Sequence, residues 1–164
     1  MMAGQILAVI YIGEQNLSNE VLFSRLTLVV FGLTILSIVP WFGWLWASAS
    51  FLSSIQQSHL RMNLRFFKFA IIFPLPYMFL FFIVFQSSHP EIFVFIFPIH
   101  LFAMYCIFYA MYFVAKNLSQ LEIGRRAAFS NYAGYFFLLW FYPIGIWVIQ
   151  PKINRFYACS STQA

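Results

Sequence analysis

Of the 164 residues, 63% are apolar and 23% aromatic, while Asp, Glu, Lys and Arg together make up 8%. An ordinary soluble domain is roughly half apolar and a quarter charged, so a water-facing surface cannot be made from this chain and lipid is the solvent for most of it. The acidic residues are Glu14, Glu20, Glu91 and Glu122, and Asp is absent, which excludes mechanisms that need an Asp or two facing carboxylates.

The apolar stretch Ile6–Gly13 is too short to cross a bilayer and lacks the basic cluster and small-residue cleavage site of a signal peptide. Residues 1–20 are therefore expected to be peripheral or loosely ordered. A span needs about 20 predominantly apolar residues, and four stretches qualify: 26–46, 69–86, 92–115 and 132–149. The second and third are separated only by the short connection around Ser87–Glu91, so they read as antiparallel neighbours. Residues 152–164 form a tail. The fold class is all-α, a single transmembrane domain of four kinked helices in a bundle with short loops.

Each span contains proline: Pro40, the Pro74/Pro76 pair, Pro98 and Pro143. Proline deletes a backbone donor and can kink a helix. Broken helices can frame a transport site, but proline is also commoner in membrane helices than in soluble ones. Trp41, Trp44 and Trp46 mark the inner end of the first span, since indole rings settle at the headgroup level. If the first helix continues further, Gly43, Ala47, Ser50 and Ser54 form one small-residue face, which lets helix backbones approach closely. The alternative is a turn at Pro40–Gly43 with Trp44–Ile55 lying along the interface.

The third span is differentiated all round. Ala103, Cys106 and Ala110 make a small, packing side, Tyr105, Tyr109, Tyr112 and Lys116 a polar-tipped side, and His100, Met104, Ile107 and Met111 a third. Such a helix belongs inside a bundle or at an oligomer contact. His100 is a functional candidate because ionisable groups inside a membrane usually have a purpose, and imidazole with thioether also suits haem or copper. Met111, however, is about 16 Å further along the axis, and no two histidines of one chain can share a metal. A neutral His100 bonded to a neighbouring Tyr, Ser or carbonyl is the plainer reading, and no cofactor or metal is expected.

Cys106 and Cys159 fall at different depths and form no CxxC pair. Asn16-Leu17-Ser18 and Asn117-Leu118-Ser119 match the glycosylation pattern on opposite faces, so at least one is accidental. Ser119-x-x-Glu122 resembles a capping box and suggests a short helix in the third loop. Gln150-Pro151 is expected to end the last helix, with Lys152 and Arg155 meeting headgroups. The cations Arg61, Arg65, Lys68, Lys116, Arg125 and Arg126 belong to the cytoplasmic side and Arg25, Lys152 and Arg155 to the other, which places both termini outside. Cations so distributed suit anionic lipid headgroups and not nucleic acid.

Two stretches, HLFAMYCIFYAMYFVAKNL at 100–118 and YFFLLWFYPIGIWVIQPKIN at 135–154, resemble the last two spans of a family of uncharacterised small bacterial membrane proteins, most of all in the run Pro143–Asn154. The resemblance implies four membrane helices and a multi-pass protein of the bacterial inner membrane. It also implies acidic residues near the start of the last span, where this chain has Asn131 and Tyr135. The expected function is that of a non-enzymatic accessory or scaffold protein, or a homo-oligomeric subunit. A small transporter or channel with a Tyr/His-lined polar face is the second expectation, and a membrane-embedded haem or lipid-modifying enzyme a distant third.

Overall fold

The computed structural model describes the backbone of residues 2–85 and 92–161, with side-chain surroundings from residue 21 onward except at 85 and 93. The described residues are helical throughout, without strands: α1 (Met2–Ile55), a 3-10 turn (Ser58–Leu60), α2 (Leu64–Ile72), α3 (Pro74–Phe85), α4 (Ile92–Ile123), α5 (Phe129–Trp140) and α6 (Tyr142–Ser161). Three helical segments are long and apolar enough to cross a membrane: Val21–Ile55, Leu64–Val84 and Val94–Ile123. The chain divides into two compact units, Met1–Pro40 and Trp41–Ala164, each described by itself.

In the first unit the backbone is helical from Met2; the expected peripheral placement of residues 1–20 falls on side chains outside the described ones. Val29, Val30, Leu33, Leu36 and Val39 are all exposed. Lipid offers no hydrogen bonds, so hydroxyls along such a surface need partners within the helix. Thr27 and Thr34 donate to the carbonyls of Phe23 and Val30 at 2.8 Å, and Ser37 donates to that of Leu33 at 2.9 Å.

In the second unit α1 continues through Pro40 to Ile55; the expected helix end near Trp46 and the alternative turn at Pro40–Gly43 are not what forms. Its buried side is Leu45, Ser48, Ala49 and Leu52. Asn63 caps α2, its Oδ1 accepting the N–H groups of Arg65 and Phe66 at 3.0 and 3.2 Å, as short amide side chains do at helix starts. Pro74 has no N–H to continue that helix, and the segment breaks there into α2 and α3. Pro98 lies inside α4 without ending it.

α4 is the central helix, packed against α2, α3 and α5. It runs antiparallel to α2 and α3, with Phe67 on Phe113 at 4.6 Å, Phe73 on Phe102 at 5.0 Å and Tyr77 on His100 at 5.7 Å between ring centres. From Ala110 to Gln120 nearly every α4 side chain is buried, including Phe113, Val114, Leu118 and Asn117. The helix extends eight residues past the expected end at 115, absorbing Ser119 and Glu122; the capping box expected there does not form. It stops at Gly124, whose φ of 66° is the left-handed conformation that glycine adopts without a Cβ clash.

The fourth expected span, 132–149, is not one helix. Phe141 leaves the helical conformation with φ −89° and ψ 58°, and α5 and α6 fold back on each other. Two contacts establish the reversal. A Cβ on Gly145 would clash with the Leu138 carbonyl oxygen, and Lys152 meets Tyr135 through a 2.5 Å hydrogen bond. α5 lies antiparallel to α4, with Tyr132 against Tyr112 and Trp140 against Phe108. The expected stop at Gln150-Pro151 is also absent: α6 carries Pro151 inside it and runs to Ser161, so most of the expected tail is helix.

Candidate functional site

The polar side chains of the second unit gather in three places along α4. Near its start, His100 Nδ1 and Tyr77 Oη are hydrogen-bonded at 2.7 Å, with Phe81 beside the imidazole at 5.5 Å. Tyr77 is buried in an apolar cluster with Val84, Ile96 and Ala103. The imidazole therefore has the tyrosine partner that the sequence allowed, and Met104, one turn on, is 40% exposed and turned away from that cluster. No group of three or more His, Cys, Asp or Glu that could hold a metal occurs among the described residues.

Midway, the tyrosine stripe forms an aromatic ladder. Tyr105, Tyr109 and Tyr112 follow one another at 6.4 and 6.0 Å, and Phe66 of α2 packs edge-on against Tyr109 at 4.6 Å. Lys116 closes the ladder: it donates to Tyr112 Oη at 2.7 Å and lies 5.1 Å from the Tyr112 ring centre and 6.0 Å from that of Tyr132, a favourable cation–π arrangement. Tyr105 is half exposed. Ala103, Cys106 and Ala110 are fully buried, so the small side of α4 packs inside the chain.

The small face expected on α1 is placed differently. Gly43, Ala47 and Ser54 are exposed and Ser50 half-buried, opposite the side that Leu45, Ala49 and Leu52 bury. Nothing lies within 4 Å of a Cβ built on Gly43. The structure thus brings together His100 with Tyr77 and the tyrosines with Lys116, and leaves Gly43 and Ala47 exposed among the described residues.

The third group, at the end of α4, was not visible in the sequence as a site. Lys152 donates to Glu122 Oε1 at 2.6 Å and to Tyr135 Oη at 2.5 Å, and Tyr135 donates to Glu122 Oε2 at 2.5 Å. Three helices meet in this triad, and the Lys152 ammonium also lies 4.9 Å from the Tyr135 ring centre. The Glu122 carboxylate and Tyr135 hydroxyl beside it hold the ammonium above the usual lysine range. Sequence spacing gave no signal, because the partners are 30 and 17 residues apart.

A cavity of about 340 Å³ opens beside the triad, lined by Leu121, Glu122, Lys152, Arg155, Phe156 and Cys159. Two residues before Lys152 on α6, Gln150 accepts the Trp44 Nε1–H at 2.6 Å and donates to Asn154 at 2.8 Å. Trp44 is thus a link between α1 and α6, a role its expected place at the interface did not suggest. Asn117 is fully buried and donates to the Phe113 carbonyl at 2.8 Å, which rules it out as a glycan acceptor. No family model, curated protein or solved structure matches the chain.

Proposed function

We propose that this chain is a multi-pass protein of the bacterial inner membrane that carries out no chemistry of its own and works through helix contacts, as an accessory or scaffold subunit or by self-association. The observation that carries the reading is the two-sided character of α1 beyond Pro40. One side is buried, and the opposite side presents exposed Gly43 and Ala47, with no described atom within 4 Å of a Cβ built on Gly43. Inside lipid, small residues are what allow a second helix to approach closely. The titratable groups that catalysis or transport would draw on are engaged with one another instead: His100 with Tyr77, Lys116 with Tyr112, and Lys152 with Glu122 and Tyr135.

Three crossings, with α5 and α6 entering and leaving by the same face, account for the cations better than four spans do. Because α6 returns to the end of α4, Lys152 and Arg155 join Arg61, Arg65, Lys68, Lys116, Arg125 and Arg126 on one face. Basic residues accumulate on the cytoplasmic side, where anionic lipid headgroups meet them. On this reading the C-terminal end of α6 faces the cytoplasm, a different proposal from the sequence expectation of both termini outside.

Cysteine cross-linking in native membranes tests the contact reading. With Cys106 and Cys159 changed to Ser, an Ala47→Cys chain is expected to form an oxidant-dependent adduct, with itself or with another membrane protein, while a cysteine at exposed Leu36 is not. His100→Ala is expected to leave that adduct intact. Absence of any adduct at positions 43 and 47 overturns the proposal.

A further inference from the structure

The cavity beside the Glu122–Lys152–Tyr135 triad has no part in the helix contacts above, and its lining is not that of a packing defect. Its α6 wall is Lys152, Arg155, Phe156 and Cys159, spaced i, i+3, i+4 and i+7, so a single helix face supplies two cations, a ring and a thiol. Its α4 wall is Leu121 and Glu122, in the last turn of a segment apolar enough to cross a membrane. The cavity therefore sits where that helix leaves the hydrocarbon, beside the cations of the basic face.

The charges are unequal. Glu122 is committed to Lys152 and Tyr135, and Lys152 uses two of its three N–H donors on them. Arg155 is exposed and makes no hydrogen bond or ion pair with another described residue. With two cations and one carboxylate the lining carries a formal charge of about +1, which matches a phosphodiester. The Arg155 guanidinium offers the planar fork that binds two phosphate oxygens at once, and the remaining Lys152 donor lies one turn away. Leu121 and Phe156 supply apolar wall for the glycerol and first acyl carbons, and about 340 Å³ lies in the range of small-ligand pockets.

We infer that this cavity is a binding site for the phosphodiester headgroup of an anionic glycerophospholipid, gripped by Arg155 and Lys152 at the end of α4. A zwitterionic headgroup fits worse, because its ammonium would meet the same two cations. The shared chemistry is phosphate recognition, and a lipid is favoured over free phosphate because the cavity adjoins apolar wall at the membrane boundary. The inference rests on the proposed membrane placement of this face.

Native mass spectrometry of the full chain in detergent, with equal amounts of phosphatidylglycerol and phosphatidylcholine, tests it. The phosphatidylglycerol adduct is expected to dominate. Arg155→Gln is expected to weaken it by about tenfold, since hydrogen bonds to charged groups contribute about 1.5–3 kcal/mol, with the melting temperature unchanged. Arg125→Gln, which removes an exposed cation outside the cavity, is expected to leave the adduct as it was. Equal retention of the two lipids, an unaltered adduct in Arg155→Gln, or an equal loss in Arg125→Gln overturns the site. Displacement of the lipid by millimolar inorganic phosphate overturns the lipid as its source. Release of the chain from membranes by alkaline carbonate without detergent would instead show that the membrane placement has failed.

Discussion

Gly145 and Gly43 are both helical glycines, and the structure assigns them opposite tolerances. A methyl group on Gly145 would clash with the Leu138 carbonyl oxygen, a fixed backbone atom, whereas one on Gly43 meets nothing within 4 Å. Overpacking costs typically about 1–3 kcal/mol, so Gly145→Ala is expected to lower the melting temperature in detergent and loosen the α5–α6 reversal. Gly43→Ala, in an open helical position, is expected to be neutral or stabilising by up to about 1 kcal/mol. Equal melting temperatures for the two variants would show that the backbones at Leu138 and Gly145 are not in contact. Lys152 supplies a pH test. Its pKa is raised by Glu122 first and Tyr135 second. Its contribution is therefore fully present below the unfolded lysine value of about 10.4 and is lost as pH rises through the higher folded value. The pair is partly exposed, at 35% and 29%, so its contribution to stability is small. The wild-type chain is expected to melt above Lys152→Gln at neutral pH, with the difference closing on the alkaline side of pH 10.5; a difference that persisted there would remove the ammonium from the account.

Among the elements, the helices legible in the sequence were those whose apolar runs are bounded only by charges. The runs around 26–46, 69–86 and 92–115 correspond to helical segments, with ends displaced because composition marks apolarity and not capping. α4 passes Lys116 and Asn117 because Lys116 rests on two tyrosine rings and Asn117 donates to a carbonyl of its own helix, so neither interrupts it. The reversal at Phe141 was hidden because both of its arms are apolar: 132–149 reads as a single run, and only the close approach of Gly145 to Leu138 reveals a fold-back. At the candidate site, a tyrosine partner for His100 was foreseen in kind, whereas Glu122, Tyr135 and Lys152 come from three helices and share no local pattern. A membrane-inserted reversal makes a sharp accessibility prediction. In a chain otherwise without cysteine, Phe141→Cys is expected to resist a membrane-impermeant maleimide from either side. Cys159, restored alone, is expected to react only from the cytoplasmic side. Labelling of both from opposite faces would restore a fourth crossing.

For the whole molecule, the composition and the fold agree on one property: charge is scarce and engaged with aromatic or acidic partners where the helices meet. Among the described residues the carboxylate of Glu122 is bound into an ion pair with Lys152. Aromatic side chains do the packing that charge cannot do in lipid, along the Tyr105–Tyr112 ladder and between Phe67 and Phe113. Among the exposed surfaces of the second unit, the Gly43–Ala47 side of α1 is the one made of small residues, and the central claim is that another membrane helix occupies it. The most direct measurement is the mass of the particle extracted from native membranes in a lipid-retaining polymer, compared between wild type and a Gly43→Leu/Ala47→Leu variant. The wild-type particle is expected to contain more than one polypeptide and the variant a single chain with an unchanged helical spectrum. A wild-type particle holding one chain and no other protein, or a variant that keeps its partner, would contradict the account.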